Sequence, residues 1–278
     1  MVDTLSSGLE ELLSAFRQRS GRSPRLDVIL VGDDPASHLY VRNKRREAHR
    51  LGMTQNLHTF PSSATAKEVR SLVERLNQDD QVDGILIQRP LPSSFNLSDV
   101  SRWIHPLKDV DAFHPLLMGN LLLGIPTLAP CTPTGILALI SHYGLNVAGK
   151  VACVVGRSPI VGKPLSAMLL NADATVINCH RKTQNLAELT SRADFLFVAA
   201  GAPRLIGRDH VKSGAVVIDV GIHKLADGSW CGDVRSNEIA EKVSALSPVP
   251  GGVGPLTIFM LMKNVVLAAQ ARLDTRQA

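Results

Sequence analysis

The chain has little cysteine, few aromatics and no long uncharged apolar run, and each shortage narrows what it can be. Its four cysteines, Cys131, Cys153, Cys179 and Cys231, lie far apart, form no CxxC pair and share no zinc-type spacing with histidine. Free buried thiols in a reducing compartment are expected, with neither a disulfide framework nor a metal. The apolar stretch from Pro255 to Met262 is broken by Lys263, so no membrane span is expected. Residues 1–25 lack the basic start and apolar run of a secretory signal, and Asp3, Glu10 and Glu11 argue against a transit peptide. A cytoplasmic location follows. There is no Lys/Arg run and no basic stripe interleaved with aromatics, which excludes nucleic acid as the expected partner.

What is present suits a globular enzyme. A chain of 278 residues with 45% hydrophobic and 20% charged residues can build two compact domains around sizeable cores. The formal charge of +5, with a pI near 9.2, suits small polyanions such as phosphates or carboxylates.

Strand-like and helix-like segments alternate almost throughout. Leu26–Val31, Gly84–Gln88, Val151–Val155, Thr175–Asn178, Phe195–Ala199 and Val216–Val220 read as short, mostly apolar strands without alternation. Helical patterns cover 37–51 and 66–76. Such alternation predicts parallel sheets covered on both faces. The rhythm breaks over Trp103–Thr134, which has five prolines and no clear periodicity and reads as a long functional loop. The pattern then restarts, placing a boundary near 137–149. The chain has no internal repeat.

Two glycine-rich elements stand out. In Val151–Gly162 an apolar strand runs into a glycine turn and then a helix, the context in which loop amides and a helix N-terminus receive a pyrophosphate. The spacing is Gly156-x-Ser158-x-x-x-Gly162 rather than GxGxxG. NAD enzymes usually end the next strand in an acid that binds the ribose hydroxyls. Here it ends in Cys179-His180-Arg181-Lys182, with Arg157 in the first turn, which favours NADP. The second element, Pro248–Pro255, precedes a long apolar helix with Pro255 suited to its first position. Its glycines allow close approach of a ligand or of another backbone.

Earlier in the chain, Tyr40 and Lys44 fall four apart on one helix and stand one turn apart on one face. Gln88 ends an apolar strand, and Asp111 lies in the irregular loop that follows. Spacing alone is equally compatible with a core-edge tyrosine and solvated polar groups at these positions.

Longer strings carry more. Gly32-Asp-Asp-Pro-Ala-Ser37-x-x-Tyr40-Val-x-Asn-Lys44, Asp83-Gly-Ile-Leu-Ile-Gln88, Pro90-Leu-Pro92, Lys108-Asp-Val-Asp111 and Pro130-Cys-Thr-Pro133 occur in order. They are followed by Gly156-Arg-Ser-x-Ile-Val-Gly-Lys-Pro164, Val217-Ile-Asp-Val-Gly-Ile222 and Pro248-Val-Pro-Gly-Gly-Val-Gly-Pro255. Together they resemble the bifunctional methylenetetrahydrofolate dehydrogenase/methenyltetrahydrofolate cyclohydrolases of the FolD type, over about Leu26 to Ala269.

The resemblance implies an α/β protein of two domains with the active-site cleft between them. An α/β folate domain would occupy 1–138, completed by a C-terminal helix at 254–278, and a Rossmann-like parallel-sheet domain for NADP would occupy 139–253. It also implies a homodimer formed through the cofactor domain. Lys44 then matches the essential lysine, Tyr40 a ring-stacking tyrosine, Gln88 the lysine's partner and Asp111 the pterin-binding carboxylate. Pro250 and Gly251 fall on the substrate side, and Gly156, Arg157, Ser158, Gly162, Arg181 and Ile222 on the cofactor side.

The implied reactions are oxidation of 5,10-methylenetetrahydrofolate by NADP and hydrolysis of the methenyl product to 10-formyltetrahydrofolate. Alternatives are a dehydrogenase that has lost the hydrolase and a non-catalytic folate- or nucleotide-binding relative, which would have no need of Lys44 in particular. Three departures from the family pattern are visible. Arg89 stands where an apolar residue is usual, Ala112 replaces a usual glycine, and Pro159 occupies a variable place in the phosphate turn.

Overall fold

The computed structural model describes residues 2–125 and 127–277, with side chains over 6–125 and 127–275. Met1 and Ala278, the outer ends of the expected domains, and Pro126 lie outside the described residues. The chain divides into two compact units. Unit 1 is Met1–Asn120, Pro126–Cys131 and Ile258–Ala278, and unit 2 is Leu121–Ile125 and Thr132–Thr257.

Unit 1 opens with α1 (Val2–Ser20), whose Leu9, Leu13 and Phe16 recur at helical spacing and are buried. Next come β1 (Arg25–Val31), α2 (Pro35–Arg50), β2 (Thr54–Phe60), α3 (Ala66–Gln78) and β3 (Gly84–Ile87). The three strands form a parallel sheet in the order β2-β1-β3. β1 is buried at every position but Arg25, as a central strand covered on both faces requires. α3 starts at a reciprocal cap, with Thr65 Oγ1 accepting from Glu68 N and Glu68 Oε2 from Thr65 N. It buries Val69, Leu72, Val73 and Leu76 against Ile29 and Ile85 of the sheet.

The segment expected to be a structureless loop contains helices. After α4 (Leu97–Val100) come a 3-10 turn at Pro106–Lys108 and α5 (Pro115–Leu122). Pro106 and Pro115 are the first residues of their helices. A first-turn N–H has no intrahelical partner, so proline starts these elements rather than breaking them.

Next are α6 (Cys131–His142), β4 (Val151–Val155), α7 (Gly162–Asn171), β5 (Thr175–Cys179), α8 (Leu186–Thr190), β6 (Phe195–Val198) and β7 (Val216–Asp219). A short antiparallel hairpin, β8 (His223–Lys224) with β9 (Trp230–Cys231), precedes α9 (Ser236–Ile239) and β10 (Ala245–Leu246). The five long-sheet strands of unit 2 are all parallel, in the order β10-β7-β6-β4-β5. Numbered within the unit this is 2-1-3-4-5, a doubly wound order whose direction reverses between β4 and β6. The Rossmann-like sheet expected from the sequence is present. Cys131, Cys153 and Cys179 are buried thiols, whereas Cys231 is half-buried because it sits on the small hairpin.

α10 (Val253–Gln277) begins one residue before the expected bound of 254 and leaves Pro255 third in the helix rather than first, where a missing N–H is still harmless. Lys263 does not end its apolar character. By length and composition the stretch Val253–Thr275 could cross a membrane, and 61% of its apolar window is buried inside the fold. Within unit 1 its Asn264 Nδ2 donates to Val110 O (2.8 Å) and Ala129 O (2.9 Å). Arg272 bonds Val82 O and Asp83, and Asp83 is also gripped by Arg22 at 2.6 Å. Buried apolar faces and satisfied polar groups make it a core helix.

Candidate active site and cofactor site

Unit 1 places a lysine where lysines are rarely found. α2 begins at Asp34, whose carboxylate accepts from Ser37 N (2.8 Å) and Oγ (2.7 Å), with Pro35 first in the helix. Ten residues after that cap, Lys44 is only 9% exposed. Its Nζ donates to Gln88 Oε1 at 3.0 Å. Gln88 is the residue after β3; the expected strand ends one position earlier, yet Gln88 N still donates to Ile29 O at 2.8 Å. Its Nε2 donates to Arg89 O at 2.6 Å, which turns the amide oxygen toward Lys44. Among the described residues no carboxylate pairs with Lys44. A buried ammonium with a single neutral partner is costly to stability, and such cost is characteristic of a working group.

Tyr40, one turn earlier on α2, is 41% exposed and available to a ligand. Asp111 lies in the loop after Pro106–Lys108, half-buried, with Oδ1 3.8 Å from Cys131 Sγ. That loop is pinned from several sides. Cys131 Sγ donates to Val110 O at 3.4 Å, the amide of Asn264 reaches the same carbonyl, and Asp109 accepts from Ala112 N (3.1 Å) and His114 N (2.6 Å). Burial, helped by the Asp111 charge, pushes the Asp109 carboxyl up to about 7. Burial, the Asp111 charge and other neighbours push the Cys131 thiol far up, with the Lys44 charge opposing them. Lys44, Gln88, Asp111 and Cys131 therefore form one neighbourhood of unit 1.

Asp109, Cys131 and Asn264 were not singled out from the sequence. An asparagine in the middle of an apolar helix was the available signal for Asn264. Pro250 and Gly251 are exposed on the unit 2 loop before α10, and Gly251 holds a φ of +100°.

Unit 2 builds its site from backbone. Gly156 follows β4 with φ +135°, and a Cβ there would stand 2.2 Å from Ala199 O, just past β6. A Cβ on Gly162 would stand 2.2 Å from Gly156 O. Both glycines are therefore dictated by packing at the point where the sheet order reverses, which is where doubly wound sheets bind ligands. Ser158 Oγ accepts from Val161 N (3.1 Å) and Gly162 N (3.4 Å), so its hydroxyl shapes the start of α7. Asn178 of β5 donates to Gly156 O at 3.0 Å and fastens the turn from the side. Arg157 and Arg181 are exposed at this end of the sheet, and the chain leaving β5 carries no acid.

Two buried carboxylates hold the neighbouring loops. Asp233 accepts from Ala200, Gly201 and Ala202 N (2.7 to 3.0 Å) and bonds His223 Nε2 at 2.7 Å. Asp219 accepts from Gly221, Asp233 and Val234 N, each at 3.0 Å. Burial, with a contribution from the Asp233 charge, pushes the Asp219 carboxyl up to about 6. These loops present Ile222, which is 43% exposed. A glycine-tight turn, two exposed arginines and a second strand that ends without an acid fit NADP.

Fold and sites define a dinucleotide-using α/β enzyme whose other unit carries a buried lysine. Comparison with known proteins narrows the class. Residues 2–111 match the model of the tetrahydrofolate dehydrogenase/cyclohydrolase catalytic domain, and 130–273 that of its NAD(P)-binding domain. Bifunctional protein FolD of Bacillus subtilis is 48% identical over 272 residues, covering 98% of this chain and 94% of that protein. The crystal structure of the bifunctional FolD dehydrogenase/cyclohydrolase from Campylobacter jejuni superposes with a TM-score of 0.94 at 42% identity, covering 98% and 96% of the two chains. The Trypanosoma brucei dehydrogenase-cyclohydrolase, solved with NADP and an inhibitor, gives 0.93 at 32% identity, covering 98% and 95%. The chain belongs to the tetrahydrofolate dehydrogenase/cyclohydrolase family.

Proposed function

We propose that this chain oxidises 5,10-methylenetetrahydrofolate to the 5,10-methenyl cation with NADP and hydrolyses that cation to 10-formyltetrahydrofolate. The observation that carries the reading is the buried Lys44 Nζ, held at 3.0 Å by the neutral Gln88 and without a counter-ion among the described residues.

Asp111 orients the substrate, because a carboxylate accepts two hydrogen bonds from the amino-pyrimidine edge of the pterin. The Tyr40 ring offers a stacking face, and Pro250 and Gly251 offer a close backbone approach on the substrate side. NADP, when bound, supplies the hydride acceptor. For this cofactor, Gly156 and Gly162 of unit 2 keep the turn tight, while Arg157 and Arg181 take the phosphate charge and Ile222 packs on the ligand.

The second reaction adds water to the methenyl carbon, breaks its bond to N5 and releases one net proton. As the neutral amine, Lys44 Nζ takes a proton from the adding water; as the ammonium so formed it gives that proton to N5, while Gln88 Oε1 holds the Nζ in place. The family resemblance further supports a homodimer through unit 2 and a cytoplasmic location; sedimentation of the purified protein tests the dimer.

Two absorbance assays on one preparation test the whole reading. One follows NADPH formed from methylenetetrahydrofolate, and the other follows loss of the methenyl chromophore. Both are expected to be positive. A protein that forms NADPH but leaves the methenyl compound at its uncatalysed rate rejects the bifunctional reading.

A further inference from the structure

Arg89 is the residue of unit 1 that the activities above leave unused. It directly follows Gln88, at a position where the family pattern is usually apolar. Its guanidinium is half-buried, with Cζ 5.0 Å from the centre of the Phe113 ring. Among the described residues nothing accepts a hydrogen bond from it and no carboxylate pairs with it. Burial lowers its affinity for the proton below the ordinary arginine value, and Asp111 and Asp109, beyond ion-pair distance, oppose that only in part.

A guanidinium carries five N–H donors in one plane, and those of Arg89 still reach solvent, so they are open to an acceptor that a ligand brings. Stacking on Phe113 covers a face of that plane and leaves its edge to meet a ligand. Phe113 lies two residues after Asp111 on the loop held by Cys131 and Asn264, so the guanidinium stacked on it stands close to the residue that orients the ligand.

The ligand chemistry then selects the contact. The pterin edge that gives its amino and ring N–H hydrogens to a carboxylate carries a carbonyl oxygen beside them. Asp111 cannot serve that oxygen, since an ionised carboxylate only accepts. A donor of positive charge can.

We propose that Arg89 is a specificity-determining residue of the folate site, donating to the pterin carbonyl oxygen while Asp111 accepts from the adjacent N–H groups. This rests on the assignment of Asp111 above. It predicts discrimination against folates in which the carbonyl is replaced by an amino group, because donor would then face donor.

The test measures the Kd of three reduced ligands on the NADP-loaded protein: tetrahydrofolate, its 4-amino-4-deoxy counterpart, and tetrahydropteroate, which lacks the glutamate. Wild type is compared with Arg89→Leu and Arg89→Lys. The 4-oxo over 4-amino preference is expected to fall about tenfold or more in Arg89→Leu, the size of a charge-assisted hydrogen bond. It should fall less in Arg89→Lys, which keeps a charge and a donor. Dependence on the glutamate should be unchanged in both.

A preference that keeps its wild-type size in both variants overturns the proposal. So does a variant that loses its dependence on glutamate instead, because Arg89 would then read the tail. Asp111→Asn separates this from failure of the site assignment: if it leaves the affinity for all three ligands unaltered, the folate site itself is misplaced.

Discussion

Unit 1 and unit 2 build their candidate sites by opposite means. In unit 1 the candidate groups are side chains projected from regular elements. Lys44 comes from the interior of α2 and Gln88 from the end of β3, and both are buried and bonded to each other. In unit 2 the site is mostly backbone. Two glycines close a turn at the point where the sheet order reverses, and the charged side chains there, Arg157 and Arg181, are exposed. A buried pair fixes a reacting atom, because neither partner can move without exposing the other unsatisfied. Exposed arginines impose little on the fold, so cofactor preference can be altered without disturbing the chemistry. The two regions should therefore fail independently.

The largest effect is expected from Lys44→Met, which keeps the buried volume and removes the proton-transfer group. Hydrolysis of methenyltetrahydrofolate should fall about a hundredfold or more, while NADP affinity measured by fluorescence titration stays at the wild-type value. Wild-type hydrolysis by this variant would remove Lys44 from the mechanism. The converse break is Gly156→Ala. The added methyl would meet Ala199 O at 2.2 Å, so the turn has to open. Backbone strain of a few kcal/mol corresponds to at least about tenfold weaker NADP binding. NADPH formation should drop with it, and cyclohydrolase activity should persist. Loss of both activities together would mean that the regions are not separable.

A smaller effect is expected from Arg157→Ala combined with Arg181→Ala. Each charge-assisted contact to a phosphate contributes on the order of 1.5–3 kcal/mol, and exposure and salt reduce that figure. Wild type should prefer NADP over NAD by at least about tenfold in kcat/KM, and the double variant should lose most of the preference. Equal use of NAD and NADP by the wild type contradicts the assignment, as does a double variant that keeps its full preference.

The same contrast explains what could be read from sequence. β3, β4 and β6 are continuously apolar, and β1 and β7 are so apart from Arg25, Asp27 and Asp219, because both faces are covered, so they announce themselves. β2 does not: Thr54–Phe60 is a polar edge strand, identifiable only through its pairing with β1. α5 was hidden by the prolines that begin and surround it. Glycine spacing revealed the unit 2 turn, since tight packing leaves no other residue possible. Lys44 and Gln88 lie 44 residues apart, and only the resemblance joined them before the structure did. The carboxylate pair Asp219 and Asp233 left no local pattern, because each caps backbone amides from loops distant in sequence.

Ala112 gives the smallest expected effect. The residue is fully buried and holds a φ of +60°, which accounts for the glycine usual at this place in the family. An L-residue in the left-handed region costs roughly 1–2 kcal/mol, and Ala112→Gly would relieve that. The replacement gives back about 0.5–1 kcal/mol through the greater freedom of the unfolded chain, and about 0.8 kcal/mol for a buried methyl. These terms nearly cancel, so the variant should unfold within about 1 kcal/mol of wild type. Its N–H would still be able to donate to Asp109, which keeps the loop and Asp111 in place. Folate affinity should not change. Ala112→Val is the sharper comparison, because a β-branched residue is an outlier at positive φ. It should unfold at a lower denaturant concentration and bind folate more weakly through the displaced Asp111, with NADP affinity intact. Folate binding that weakens in the glycine variant would show instead that the alanine methyl itself shapes the site.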